Sequence, residues 1–237
     1  NVMGGVIGLS SQARYRIATP SSRFAMPEAA IGFFCDVGVN ALLARSARAP
    51  ALAFLLGGVT VETSDAVALG LSDLCVPEDS LPGLRQRLIA AASADEIDTA
   101  ITSVLQSETT VAGEASFCAL ADQLSDCFAE DDAGGIIDML DYAAEDGDVG
   151  AASLVARVKA NCPTSLAVIL AAHLAARRSR SLEAALEVDR KLAEAMIGRS
   201  DFIEGVRAVL IDKDKAPVWS PKSIHLVDRA AIARWMA

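Results

Sequence analysis

The sequence predicts an α/β protein in two parts: a glycine-rich α/β segment over residues 1–80 and a mainly helical region over residues 81–237. In the first 40 residues, glycines lie among short apolar runs, a pattern typical of brief strands and tight turns. Beyond about residue 80, apolar residues recur at the spacing of amphipathic helices. We therefore expect no long parallel sheet in the second part.

Two short strands are predicted, at Tyr15–Ala18 and Leu74–Val76. Residues 24–28 read as an extended segment that enters a loop, because Pro27 disfavours a helical Met26. Helices are predicted over 41–47, 51–56, 66–69, 84–92, 97–106, 117–128, 136–144, 164–178, 182–197 and 202–211. The acidic runs 130–132 and 145–148 are expected to be solvated loops.

Several helix starts carry recognisable signals. Pro163 suits a first turn, and Ser181 can cap the helix that follows it. Thr63-Ser64-Asp65 and Asp201 are predicted caps of the helices 66–69 and 202–211. In helix 182–197 the residues on one face are predicted to be buried, and Asp189 lies among them.

The composition limits the classes of partner. Hydrophobic residues make up 52% of the 237 residues, enough for a sizeable core. The net charge of −10 and the pI of about 4.7 disfavour nucleic acid and anionic membranes as partners. The mean hydropathy is +0.36, but the most apolar stretches, 49–59 and 165–176, are too short to cross a bilayer.

The five cysteines are odd in number and contain no CxxC pair, so we expect reduced thiols without a disulfide framework or a zinc site. The two histidines, His173 and His225, lie far apart in sequence and predict no metal site.

Three positions could carry chemistry. The Gly4-Gly5 turn can open a helix whose backbone N–H groups bind a developing oxyanion, although a simple packing turn would look the same. Glu28 and Asp36 lie among apolar residues, which raises a carboxyl pKa and suits a general acid or base. The alternative is that Glu28 is a helix-start acid and Asp36 an N-cap.

The stretches NVMGGVIGLS (1–10), MPE (26–28) and AIGFFCDVG (30–38) resemble the central block of the crotonase superfamily. Gly8 stands where hydratases of the superfamily carry a second glutamate, and Asp36 is an added aspartate. Both features resemble 3-hydroxyisobutyryl-CoA hydrolases. The C-terminal part agrees, because CPTSL (162–166) resembles the family's SPTSL and DFIEGVRA (201–208) its DFxEGVRA signature.

The resemblance implies a crotonase-like (ββα spiral) core, lacking its N-terminal half here, followed by the helical C-terminal region of the hydrolases. In the family that N-terminal half supplies the other oxyanion donor and much of the CoA pocket. We therefore expect the N-terminal half, or a partner chain, to cover exposed core surface. A homo-oligomer is a further expectation.

By the same resemblance, the Gly5 backbone N–H is an oxyanion donor and Glu28 is the nucleophile or the base for water. Asp36 binds the substrate's 3-hydroxyl group or assists hydrolysis. Gly4, Gly32 and Phe33 are expected to line the substrate site. No metal or separate cofactor is implied, since coenzyme A is part of the substrate.

The implied function is hydrolysis of 3-hydroxyisobutyryl-CoA in mitochondrial valine catabolism. An alternative is a structural subunit of the mitochondrial ribosomal small subunit, with ribosomal proteins as partners. Retained Glu28 and Asp36 favour the enzyme. The missing N-terminal half and the altered loop favour the structural subunit or a fragment of the enzyme. In that loop, Cys35 replaces the family's proline, Val39-Asn40 replace a glycine pair, and Val6 replaces the third glycine of the first motif. An enoyl-CoA hydratase is disfavoured by Gly8.

Overall fold

The computed structural model describes residues 1–237. Its strands are all two residues long, and they form two parallel pairs. Strand β1 (Val2–Met3) pairs with β3 (Phe24–Ala25), and Val2 lies opposite Phe24. Strand β2 (Ile17–Ala18) pairs with β4 (Leu74–Cys75), and Ile17 lies opposite Leu74. The two predicted strands are thus present in shortened form.

The helices of the first part are short and follow the strands closely. They are α1 (Gly5–Ser11), α2 (Val39–Leu43), α3 (Arg48–Gly57) and α4 (Thr63–Ala68). A 3₁₀ turn covers Glu28–Ile31, directly after β3.

The region after residue 80 contains no strand and is mainly helical, as predicted. Its helices are α5 (Leu81–Ala91), α6 (Ile97–Glu108), α7 (Ser116–Gln123), α8 (Ala133–Glu145), α9 (Val149–Ala160), α10 (Pro163–Ser179), α11 (Leu182–Met196), α12 (Ser200–Val206) and α13 (Arg229–Met236). Shorter helical turns continue α7 at Ser125–Phe128 and α12 at Arg207–Ile211.

Some helix starts follow the sequence signals and others do not. Pro163 opens α10, and the Ser181 hydroxyl accepts the Ala184 N–H at 3.2 Å, both as predicted. The predicted caps at Thr63-Ser64-Asp65 and Asp201 are wrong, because these residues lie inside their helices. Thr63 lies inside α4 and donates its hydroxyl to the Thr19 carbonyl, while Asp201 lies inside α12 and accepts the Ser220 N–H at 2.7 Å.

Helix α9 was not predicted. Its N-cap is Asp148, whose carboxylate accepts the Ala151 N–H at 2.9 Å. The last residue of the acidic run 145–148 therefore starts a helix, whereas we had assigned the whole run to a solvated loop.

One hydrophobic core joins the two parts of the chain. A cluster of 42 buried residues extends in sequence from Ile7 to Ile232. Helix α3 lies at its centre: every residue from Ala49 to Gly57 is buried, and the helix contacts α7, α9 and α10. The boundary at residue 80 therefore stays a prediction.

Helices α5 and α6 form a hairpin around a separate small core of Val76, Leu84 and Leu105. No single helix is long and apolar enough to span a membrane. Helices α9 and α10 meet those criteria only as a pair bent by 108°.

Candidate active site

The carboxyl ends of β1 and β3 bring two of the predicted motifs together. Because the strands are parallel, Gly4-Gly5 and Met26-Pro27-Glu28 leave the sheet at the same edge. The Gly4 N–H donates to the Ala25 carbonyl at 3.2 Å, which fixes the start of the glycine turn against β3. Ligand sites in open parallel sheets commonly lie at this edge.

Glu28 lies directly against Gly4. A Cβ atom placed on Gly4 would come within 2.7 Å of Glu28 Oε1, so only glycine leaves room for the carboxylate there. Gly4 also has a φ of +51°, a conformation that favours glycine. Gly5 follows as the first residue of α1, where backbone N–H groups lack partners within the helix.

The Glu28 carboxylate is poorly solvated. Its Oε2 atom is buried and has no hydrogen-bond partner. Burial, and secondarily the negative charge of Asp36, raise the pKa of Glu28 to about 7. A carboxylate with such a pKa can gain or lose a proton near neutral pH, as a general base must.

Asp36 begins the turn that leads into α2. Burial raises its pKa as well. It is not an N-cap, because Gly38 occupies the N-cap position of α2. The charge of Asp36 contributes to the raised pKa of Glu28, but the sharing of one site by the two carboxylates and their catalytic roles stay predictions.

The side chain of Val37 occupies the space beside Gly8. A Cβ on Gly8 would lie 2.5 Å from Val37 Cβ and 2.9 Å from the Val37 carbonyl oxygen. A glutamate at this position, as in the hydratases, therefore has no room unless the 36–38 turn moves.

Asp189 contacts the turn that follows Asp36, and the sequence did not predict this contact. It lies on α11, is only 6% exposed, and its Oδ2 accepts the Gly38 N–H at 2.8 Å. Burial, and secondarily the charge of Asp36, raise the pKa of Asp189 to about 7. In the sequence, a sign of this contact is that Asp189 is a carboxylate on an otherwise apolar helix face, where a buried charge needs a partner.

The two C-terminal motifs hold the turn that carries Glu28. The Cys162 N–H, at the start of CPTSL, donates to the Ala29 carbonyl at 3.1 Å. In DFIEGVRA, a Cβ on Gly205 would lie 2.5 Å from Ile31 Cα, so α12 packs backbone to backbone against the turn.

The remaining predicted site residues lie around the same turn. Gly32 ends it with a φ of +70° and is buried against the backbone of α12, where a Cβ would lie 2.8 Å from the Phe202 nitrogen. The ring of Phe33 packs against that of Phe202, with the centroids 5.2 Å apart and the ring planes tilted by 49°. Whether Gly32 and Phe33 touch substrate stays a prediction.

Cys35 is fully buried beside the acidic groups. Burial, and then the charges of Glu28 and Asp36, hold the pKa of its thiol well above the ordinary value, so it is a poor nucleophile. The guanidinium of Arg207 forms ion pairs with Glu204, Asp212 and Asp214.

Comparison with known proteins shows which family this chain belongs to. The sequence model of the enoyl-CoA hydratase/isomerase family matches residues 1–236. The chain is 34% identical over 230 residues to human mitochondrial 3-hydroxyisobutyryl-CoA hydrolase, covering 95% of this chain and 58% of that protein. It is 28% identical to the mitochondrial 3-hydroxyisobutyryl-CoA hydrolase of Dictyostelium discoideum, covering 97% of this chain and 60% of that protein.

Two solved structures share the fold over the whole chain. An enoyl-CoA hydratase from Rhodobacter sphaeroides superposes with a TM-score of 0.86 at 30% identity. A carnitinyl-CoA dehydratase from Mycobacterium thermoresistibile gives the same TM-score at 26% identity. The chain spans 65% of the length of each.

The predicted crotonase-like fold is therefore confirmed. The chain spans somewhat more than half the length of the curated relatives that it matches. It belongs to the enoyl-CoA hydratase/isomerase family, within the crotonase superfamily.

Proposed function

We propose that this protein hydrolyses 3-hydroxyisobutyryl-CoA to 3-hydroxyisobutyrate and free coenzyme A. The observation that carries the proposal is the position of Glu28, a carboxylate with a pKa of about 7 that lies against the Gly4-Gly5 turn. The names of the relatives support the substrate and a mitochondrial location. Coenzyme A enters as part of the substrate.

In this proposal the thioester carbonyl oxygen points at the start of α1, where the Gly5 N–H stabilises the charge that develops on it. Two routes fit the position of Glu28. In the first, Glu28 removes a proton from water, the resulting hydroxide adds to the carbonyl carbon, and the C–S bond breaks as the CoA sulfur takes up the proton. In the second, the Glu28 carboxylate attacks the carbonyl carbon, the C–S bond breaks and CoA leaves as a thiolate. Water then hydrolyses the resulting anhydride to 3-hydroxyisobutyrate and free Glu28, and the CoA thiolate takes up the released proton.

The roles of Glu28 are tested by release of free CoA from 3-hydroxyisobutyryl-CoA by the full-length protein. A missing general base typically costs 10²–10⁴-fold in rate, so Glu28→Gln should lose about that much kcat. A Glu28→Gln variant with wild-type kcat would contradict the proposal. Single turnover in ¹⁸O-water identifies the second route if ¹⁸O appears in the Glu28 carboxyl group, because water that attacks the glutamyl carbon of the anhydride leaves its oxygen there.

Asp36 is proposed to recognise the 3-hydroxyl group. A hydrogen bond to a charged group contributes about 1.5–3 kcal/mol, which corresponds to roughly 10–10²-fold in kcat/KM. The wild-type protein should therefore prefer 3-hydroxyisobutyryl-CoA over isobutyryl-CoA by about that factor, and Asp36→Asn should reduce the preference. Equal preference in wild type and variant would exclude this role.

The structural alternative predicts a different result. A full-length protein that releases no CoA but co-sediments with the mitochondrial small ribosomal subunit would favour a role as a ribosomal subunit over the hydrolase.

A further inference from the structure

The turn that carries Asp36 has a backbone conformation that its sequence does not favour. Val37 and Gly38 both have positive φ, at 57° and 75°. The left-handed region is easily reached by glycine but rarely by a β-branched residue such as valine. Such a turn persists only where its surroundings hold it in place.

Two sets of contacts hold this turn. On one side, the Val37 side chain fills the space above Gly8. On the other, helix α11 covers Gly38, where a Cβ would lie 2.8 Å from Leu182 Cδ1. The Asp189 carboxylate, on the same helix, accepts the Gly38 N–H at 2.8 Å.

The bond from Gly38 to Asp189 crosses 151 positions of sequence and ties the turn to the C-terminal helices. It is a bond from a backbone N–H to a carboxylate, which is stronger than one between neutral groups. A buried carboxylate is costly, and Ala185 and Leu192 on the same helix face show that an apolar side chain suits this core. Packing alone therefore does not explain a carboxylate at position 189, whereas the hydrogen bond to Gly38 does.

We infer that Asp189 is a positioning residue: by accepting the Gly38 N–H it fixes the 36–38 turn and so aims Asp36 at the 3-hydroxyl group of the substrate. This inference rests on the proposed function. Asp189 does not itself meet the reacting atoms; it acts through the turn.

The structural half of the inference is tested by amide hydrogen exchange in the full-length protein. Asp189→Ala removes the acceptor, so exchange of the Gly38 amide should accelerate by about tenfold or more. Asp189→Asn keeps a carbonyl oxygen that can accept the same bond more weakly, so exchange of its Gly38 amide should be faster than in wild type but clearly slower than in Asp189→Ala. Should Asp189→Ala not fold, Asp189→Ser provides a second variant whose shorter side chain cannot reach Gly38.

The matched control is Asp65→Ala. Asp65 is also buried, at 4% exposed, and its carboxylate also accepts a backbone N–H from a distant residue, that of Cys118 at 3.0 Å. It lies outside the candidate site, so this variant loses a comparable bond without touching the 36–38 turn.

The catalytic half is tested by the preference for 3-hydroxyisobutyryl-CoA over isobutyryl-CoA. Misplacing Asp36 should lower kcat/KM for the hydroxylated thioester by up to about 10²-fold in Asp189→Ala and leave the other thioester less affected. Asp189→Asn should recover most of the preference. A purely structural role would lower both rates equally.

Three results would overturn the inference: unchanged Gly38 exchange in Asp189→Ala, an equal loss of preference in Asp65→Ala, or an Asp189→Asn variant as impaired as Asp189→Ala. A wild-type protein that hydrolyses neither thioester would instead contradict the proposed function. The exchange rates would still decide whether Asp189 holds the turn.

Discussion

Glu28 has a buried carboxylate oxygen without a hydrogen-bond partner and a pKa of about 7. In the unfolded state the pKa of Glu28 is near 4.5. Between pH 4.5 and 7, Glu28 is therefore mostly protonated in the folded state and mostly ionised in the unfolded state. Stability consequently falls as pH rises through this window, since the unfolded state binds fewer protons. The site thus contains a group that costs stability at the pH where it would act.

Glu28→Gln should remove this pH-dependent cost. We compare the free energies of unfolding of Glu28→Gln and wild type at each pH. The variant's advantage should grow by about 2 kcal/mol from pH 5 to pH 8, the range over which wild-type Glu28 becomes charged. Urea denaturation at the two pH values measures the difference.

The control for this prediction is Glu114→Gln, which neutralises an exposed glutamate far along the chain. This variant shows the effect of neutralising a glutamate outside the candidate site. Parallel curves for Glu28→Gln and wild type would mean that the Glu28 carboxyl is better solvated than the structure indicates.

At this scale the sequence predicted the glycine turn and the apolar surroundings of Glu28 and Asp36, because local motifs define them. It did not predict the part played by Asp189. Helical periodicity reports which face of α11 is buried, but not which atom a polar side chain meets there. That information depends on a contact 151 positions away.

At the scale of elements, helix α12 supports the Glu28–Ile31 turn through a close backbone contact. Gly205→Ala would place a methyl group 2.5 Å from Ile31 Cα, so either the helix or the turn must move. Overpacking of this kind typically costs about 1–3 kcal/mol. We expect a loss of that size in the free energy of unfolding, together with a lower kcat.

Gly198→Ala is the matched control. It lies just before α12, and a Cβ there meets no atom within 4 Å. Thermal and urea denaturation should show little change for this variant. Equal destabilisation by both substitutions would argue against a close contact at Gly205.

The element boundaries show where sequence patterns are insufficient. Ser181 and Pro163 mark helix starts correctly, because both effects are local. The Ser181 side chain accepts a backbone N–H of the first turn, and Pro163 has no backbone N–H that would need a partner there. Asp201 looked like a cap but bonds to the Ser220 N–H instead. Helix α9 was missed because its cap, Asp148, ends an acidic run.

At the scale of the whole molecule, the chain spans 58% of the human relative. The family resemblance assigns a second oxyanion donor and much of the CoA pocket to an N-terminal half. Removing one such donor typically costs about 10²–10³-fold in kcat. We expect residues 1–237 alone to release CoA more slowly than a protein with that half by at least this factor.

The comparison requires both proteins in the same CoA-release assay, with the Glu28→Gln variant of the longer one as the background rate. Comparable turnover by residues 1–237 alone would show that the site is complete without an N-terminal half.

All five cysteines are buried, and burial raises the pKa of each thiol. Because thiolates are the reactive form, alkylating reagents should modify this protein only when it opens. The cysteines are spread from the 36–38 turn to the start of α10, so the masses of tagged peptides, followed over time, would reveal which region of the protein opens first.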